Sequence, residues 1–366
     1  MFVVFFCILY MYSKLFRYLK YCYYLVGYIK ITDANGGKNK GENGMDRNIN
    51  NNKEYNRDFE FFCTKIKRAM ELHFGKNYNV KISEVKKNNG VIYHGLAIME
   101  AAKRSCPTIY LESFFEQYEQ GRMLGDIVDS IIKIYEENNI MNDGELDFFA
   151  DYDRVRDRLQ IKLINRKLND KLLEDVPFRE FLDMAIVCFV SVNVDDNVNG
   201  SILIHNNHIC MWGIRSEQLL EDAISNSQKD NEILFMNIED MMFNLKEQAN
   251  CSASEDEDID EIRKEMNERG KSEMYVLTNK KQYFGASMIV HPGTIEKVRE
   301  VLMEDFYIIP SSIHELLIIP CSIGCSTMSI NNMIQEVNSS MLAKEEILSD
   351  HMYMYEHCNN SILICE

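Results

Sequence analysis

Ser311-Ser312-Ile313-His314-Glu315 is the densest group of potentially reactive side chains in an otherwise apolar stretch. It holds a nucleophile, a base and an acid, the residue types of an acyl-transfer site. Such a site needs Ser and His within hydrogen-bond reach and a third group to orient the imidazole. In an extended segment Ser312 and His314 would share a face and Glu315 would oppose them. The alternative is a turn or strand-end cap, with Ser311 and Ser312 hydroxyls satisfying backbone groups and His314 making a structural hydrogen bond. The sequence favours this cap. His205, His208 and Cys210 form a second group, with the residue types of metal ligands. In a regular strand His208 and Cys210 share a face and His205 lies opposite, so a site would need a bend and further ligands. Here a polar strand or hairpin is the favoured reading. Cys321 and Cys325 flank Ser-Ile-Gly, a spacing that fits neither a C-x-x-C redox pair nor a two-pair zinc site, and they read as loop thiols. Trp212 reads as a packing anchor, and as a partner surface if it is exposed. No phosphate-loop, dinucleotide-binding, H-E-x-x-H or G-x-S-x-G signature occurs, so no cofactor is expected.

The elements that must position these groups come from periodicity. Met274 to Pro320 reads as an α+β unit. Tyr275–Asn279 and Tyr283–Val290 are strand-like and close enough for a hairpin, and His291-Pro292-Gly293 breaks the second run. A helix follows with Thr294 as N-cap and Ile295, Val298, Val301 and Leu302 at helical spacing. Phe306–Ile309 and Leu316–Ile319 are β-rich runs bounded by Pro310 and Pro320. Upstream, Tyr55–His73 is helical with Phe59 and Phe62 on its core face. Val80–Val85 and Val91–Met99 are strands joined through Asn89-Gly90, a strong hairpin signal. Thr108–Leu111 is a short strand, Met123–Asn138 a helix, and Phe148–Arg158 a further helix. Leu159–Asn165 is ambiguous between helix and strand. Ser201–Ile209 is strand-like, Ser216 reads as the N-cap of a helix over Glu217–Ser225, and Ile238–Leu245 as a short helix whose Met241 and Met242 are core. Ser329–Val337 is helical and His351–Tyr355 a terminal strand.

Residues 1–44 stand apart. Their apolar run is interrupted by Lys14, Arg17 and Lys20, too soon for a spanning helix of about 20 residues, and no signal-peptide order of charges and cleavage site is present. Lys40-Gly41-Glu42 can be encoded AAA-GGA-GAA, a bacterial ribosome-binding sequence shortly ahead of the Met45 codon. The expectation is therefore an upstream misread with translation beginning at Met45, and no membrane attachment if so. The net charge is −17, and beyond residue 44 it is −21, from 34 basic and 55 acidic residues. That balance opposes non-specific nucleic-acid binding. Eleven scattered Cys without a secretion signal read as reduced thiols of a cytoplasmic protein.

Several segments carry a resemblance: Ile109-Tyr110-Leu111 with Tyr118–Gly121, Lys162-Leu163-Ile164-Asn165, Val176–Phe181, Met211-Trp212-Gly213, Tyr275–Asn279, Gly285-Ala286, Pro310–Glu315 and Leu348-Ser349-Asp350. In this order they resemble a bacterial family known only as a domain of unknown function, over about residues 57 to 356. The resemblance implies no activity, and proteins of that family start near Met45. The sequence as a whole predicts an α+β fold of two αβ subdomains with mainly antiparallel hairpins packed by helices. Their boundaries are expected at 45–248 and 274–366, joined by an acidic linker over 249–273 that holds Glu255-Asp256-Glu257-Asp258. The expected role is non-catalytic, an interaction or accessory protein with an unidentified protein partner. The alternative is a hydrolase-like or metal-dependent enzyme using Ser312 and His314 or His205, His208 and Cys210.

Overall fold

The first hairpin is set by Asn89 and Gly90, which take φ of 58° and 68°, the left-handed region that Asn and Gly tolerate best. A computed structural model describes residues 46–101, 103, 106–138, 147–195, 198–238, 240–241, 274–324, 326–340 and 342–365. The expectations for residues 1–44, for Cys325 and for the acidic segment 249–273 lie outside the described residues, as do five of the eight residues of the helix expected over Ile238–Leu245.

Helix α1 (Asp46–Phe74) leads into β1 (Tyr78–Lys86) and β2 (Ile92–Glu100), paired antiparallel from Tyr78↔Glu100 to Lys86↔Ile92, and β3 (Thr108–Tyr110) adds to β2. Helices α2 (Glu112–Glu119) and α3 (Leu124–Asn138) complete this unit. Its core is its own: Phe59, Phe62, Ile66 and Met70 of α1 meet Leu96 and Ile98 of β2 and Ile127 and Ile131 of α3. Each such side chain contributes about 1.5–3 kcal/mol on burial.

The other described residues make two further antiparallel sheets. After α4 (Tyr152–Val155) come β4 (Leu159–Asn165), α5 (Asp170–Leu173), β5 (Phe178–Phe181), β6 (Met184–Asp195) and β7 (Val198–Leu203). The long β6 pairs with β4 on one side and with β5 and β7 on the other. Two helices follow, α6 (Asn206–Trp212) and α7 (Ser216–Asp230). Strands β8 (Ile233–Asn237), β9 (Tyr275–Asn279), β10 (Phe306–Pro310), β11 (Leu316–Pro320), β12 (Met352–Glu356) and β13 (Ser361–Cys365) form a six-stranded sheet in the order β13-β12-β10-β11-β9-β8. Helices α8 (Thr294–Leu302) and α9 (Thr327–Ser340) interrupt it.

The runs Phe306–Ile309 and Leu316–Ile319 are apolar throughout because both faces of β10 and β11 are covered. Phe306, Ile308, Leu316 and Ile318 share a core with Leu159, Ile161 and Leu163 of β4 and Ile186 and Val190 of β6. Ile309, Leu317 and Ile319 pack on the other side against Ile330 and Ile334 of α9. The architecture is α+β with antiparallel hairpins packed by helices.

Three expectations are corrected. Tyr283–Val290 is not a strand, because both edges of β9 are taken by β8 and β11; Gly285–Val290 winds into a 3-10 turn instead. Phe148–Arg158 is a chain of short turns around α4 rather than one helix. Ser201–Ile209 leaves the sheet at Leu203 and enters α6. Strand β8, before residues 249–273, pairs with β9 after them, and one core draws on both sides.

The N-terminal unit is fastened to the rest through its hairpin tip. Asn88 Nδ2 donates to the Glu345 carbonyl at 2.6 Å, and Asn89 Nδ2 donates to the carbonyls of Lys344 and Ile347, each at 2.7 Å. Asn169 closes the joint, its Oδ1 accepting the Asn89 N–H at 2.8 Å and its Nδ2 donating to Asn89 Oδ1 at 2.7 Å. Replacing Asn89 by Ala removes three side-chain bonds and places a Cβ-bearing residue without Asn's tolerance at positive φ. It is expected to lower the free energy of urea unfolding by about 2–4 kcal/mol, with Asn89→Gly recovering part of the loss. A change below about 0.5 kcal/mol would show that the tip does not anchor the unit.

Candidate functional site

The Ser311–Glu315 segment is a hairpin loop, fixed by the pairing of Pro310 with Leu316. The Ser312 N–H donates to the Glu315 carbonyl at 3.2 Å, and Ser312 Oγ accepts the backbone N–H of His314 at 3.0 Å. Ser311 Oγ donates to Glu315 Oε1 at 3.4 Å. The imidazole is occupied elsewhere: His314 Nδ1 accepts the Phe284 N–H at 3.1 Å, which puts the ring proton on Nε2. Thr278 Oγ1 donates to the His314 carbonyl at 2.8 Å. The structure thus brings Ser311, Ser312, His314 and Glu315 into one loop, with the Ser312 hydroxyl directed at the backbone of His314 and not at its ring.

The backbone beneath this loop tolerates no side chain. A Cβ on Gly285 would lie 2.1 Å from Thr278 Oγ1, 2.6 Å from the His314 carbonyl oxygen and 2.7 Å from the Asn279 nitrogen. Two of those three atoms are backbone and cannot swing aside. Gly285→Ala is expected to cost about 3 kcal/mol in urea denaturation; a variant within about 1 kcal/mol of the parent would disprove this close packing.

Around His314 lies a basic and aromatic junction. Its ring stacks on Phe284, with centroids 5.5 Å apart at 7°, and Tyr283 stands 5.6 Å away. The ammonium of Lys162 sits 4.7 Å from the centre of the Phe284 ring. Burial, helped by the Lys162 charge, pushes the His314 pKa down to about 4, so the ring is neutral. Burial and the nearby Lys87 push the Lys162 amine down to about 8. Lys87, on the hairpin tip, lies over the Tyr110 ring at 4.4 Å. Sequence reasoning missed Lys162; the available signal was one Lys inside the apolar run Leu159–Ile164.

The second group is taken apart by helix α6. His205 is its N-cap, and His205 Nδ1 bonds Asp175 Oδ2 at 2.9 Å. His208 Nδ1 accepts the His205 backbone N–H at 3.1 Å, an N-terminal bond of the helix. Cys210 is exposed and, two residues beyond His208, points away from it. The shared strand face expected for His208 and Cys210 does not exist, because the strand ends at Leu203. Trp212 is half-buried, donates from Nε1 to the Phe149 carbonyl at 2.9 Å, and packs on Phe149 and Tyr152. Cys321 opens a 3-10 turn, and burial pushes its thiol up to about 11.

A cavity of about 570 Å³, also missed from sequence, lies between the two larger sheets, lined by Phe181, Ile186, Ile224, Ile289, His291 and Tyr355 among others. His291 is 3% exposed, and neither ring nitrogen has a hydrogen-bond partner among the described residues. Burial pushes its pKa from 6.5 down to about 4. The unfolded chain therefore takes up a proton first on acidification: this contribution to stability is full above about pH 6.5 and is lost as the pH falls toward 4. Between pH 7 and pH 5 the parent is expected to lose about 2 kcal/mol more unfolding free energy than His291→Leu. Equal losses in the two proteins would show that His291 titrates normally.

Segments that carry the resemblance meet at the His314 junction. Lys162 and Asn165 lie on β4, with Asn165 Nδ2 donating to the Leu348 carbonyl at 3.1 Å, and Thr278, Gly285 and His314 are in mutual contact. No helix among the described residues is long and apolar enough to cross a membrane. Neither a curated protein nor a solved structure matches the chain. A family model does, over residues 59–357, and by that match the chain belongs to DUF5688, a family of unknown function.

Proposed function

We propose that this chain is a cytoplasmic bacterial accessory protein that works by binding a protein partner, not by hydrolysis or metal chemistry. The carrying observation is the commitment of the reactive groups: Ser312 Oγ and His314 Nδ1 each accept a backbone N–H, and His205 and His208 order the start of α6. A nucleophile and base used in this way hold a loop in shape. The net charge of −17 directs the reading toward protein and away from nucleic acid. The outermost strand β13 supports it, since Leu363 and Ile364 remain 44% and 38% exposed at the end of the six-stranded sheet, an edge to which an extended segment can add.

The test is native mass spectrometry of C-terminally tagged protein recovered gently from its own cells, for the parent, Ser312→Ala and Leu363→Lys. One partner in fixed stoichiometry, retained by Ser312→Ala and weakened at least tenfold by Leu363→Lys, is the expected result. A monomer carrying a metal or small-molecule mass, or a turnover abolished by Ser312→Ala in a folded protein, would replace this reading with the enzyme.

A further inference from the structure

We propose that the free edge of β1 receives an extended segment of a protein partner in which acidic and apolar residues alternate. This rests on the partner-binding reading above and extends it to a second edge, on the N-terminal unit, with a stated partner chemistry.

Strand β1 is the outer strand in the order β1-β2-β3, and its nine residues pair with β2 without a bulge from Tyr78↔Glu100 to Lys86↔Ile92. The bonds just beyond the two ends of this pairing fix which backbone groups are left over. Ala101 donates its N–H to the Asn77 carbonyl at 2.9 Å, and Lys87 donates its N–H to the Val91 carbonyl at 2.7 Å. Bonded pairs alternate along an antiparallel ladder. Asn79, Lys81, Ser83 and Val85 therefore direct their backbone groups to β2, while Val80, Ile82, Glu84 and Lys86 turn their N–H and C=O groups outward. Those outward groups have no hydrogen bond among the described residues. A long edge in this state is a template for another strand.

The side chains select what can be added. Tyr78, Val80 and Ile82 turn toward the N-terminal core, and Ile82 is half-buried at its margin, beside the position an added apolar side chain would take. Asn79, Lys81 and Ser83 are exposed on the opposite face. Along the strand and the turn before it, Lys76, Lys81 and Lys86 are exposed against a single acid, Glu84. The edge is thus basic in a chain of net charge −17, and carboxylates opposite its lysines are favourable. A second copy fits less well. Antiparallel pairing of two β1 strands about Ile82 sets Val80 against Glu84, and pairing about Ser83 sets Val80 against Lys86; pairing about Lys81 sets that ammonium against its own counterpart. A segment alternating apolar and acidic residues meets Ile82 on one face and Lys81 on the other.

The experiment is fluorescence anisotropy of a labelled peptide alternating valine and glutamate, titrated with the full chain at low ionic strength, with a peptide alternating valine and lysine as control. Amide hydrogen exchange is read by NMR on the same samples. One acidic peptide per chain is expected, bound at least tenfold more tightly than the basic one, with the preference reversed in Lys81→Glu. The acidic peptide should slow exchange of the Ile82 and Glu84 amides, which are open in the free chain, and leave the Ser83 and Val85 amides, already bonded to β2, unchanged. Leu363→Lys, at the β13 edge, should bind the peptide as the parent does, which separates failure of the β13 reading from failure of this one. Circular dichroism identifies a variant that has lost its fold; exchange in the parent then decides. The assignment is overturned by no peptide binding, equal binding of the two peptides, a preference kept in folded Lys81→Glu, or protection at β13 in place of β1. A second copy that protects Ile82 and Glu84 without peptide would overturn it as well.

Discussion

The close passage of Gly285 against β9 is the constraint on which the central region depends. With no side chain at this position, the backbone comes within reach of Thr278 and of the His314 carbonyl, and the Gly285–Val290 turn can lie inside the core. That placement sets Phe284, whose N–H fixes the His314 ring and whose face meets Lys162. The hairpin loop between β10 and β11 is in turn held by His314 and Thr278. One small residue thus couples the six-stranded sheet to β4, and the polar groups of the loop become part of that coupling. The geometry also explains why Ser, His and Glu in near succession do not assemble a relay. Their hydrogen-bonding capacity is drawn to the backbone, where buried donors and acceptors must be satisfied.

Two kinds of cohesion hold the molecule. The N-terminal helices and hairpin have their own apolar core, with Phe59 against Phe115 at 5.1 Å among its contacts, and the two larger sheets share another. The joint between these bodies includes a polar contact, built from the Asn side chains of the hairpin tip and of the turn after β4. Apolar burial stabilises without direction, whereas amide-to-carbonyl bonds fix orientation. The tip is therefore placed in register with the turn that follows β4.

Unpartnered polar groups distribute differently. Most of the reactive side chains visible in the sequence are satisfied, while His291, which reads as a strand breaker beside Pro292, is a buried imidazole without a hydrogen bond among the described residues. Its position beside a cavity follows from packing between sheets, and no local pattern encodes it. Lys162 is comparable: its strand was ambiguous in the sequence, and its electrostatic situation arises from burial, from the charge of Lys87 and from the Phe284 ring, and neither residue is near it in the chain.

The sequence by itself determined the class of fold and many of its elements. Asn89-Gly90 gives the first hairpin, the spacing of Phe59, Phe62, Ile66 and Met70 gives the core face of α1, and the two apolar runs bounded by Pro310 and Pro320 give the central strands. These are local rules: positive φ, a period of 3.6, a buried pleat. Tertiary structure decided what such rules cannot reach. Tyr283–Val290 has strand-forming residues, yet β8 and β11 had already occupied both edges of β9, so it became a turn. Residues after Leu203 have strand composition, yet the chain turns there into a helix in which His205 bonds Asp175 from a distant loop. A side chain's chemistry is set by what faces it, and for Ser312, His314, Lys162 and His291 the facing groups come from elsewhere in the chain.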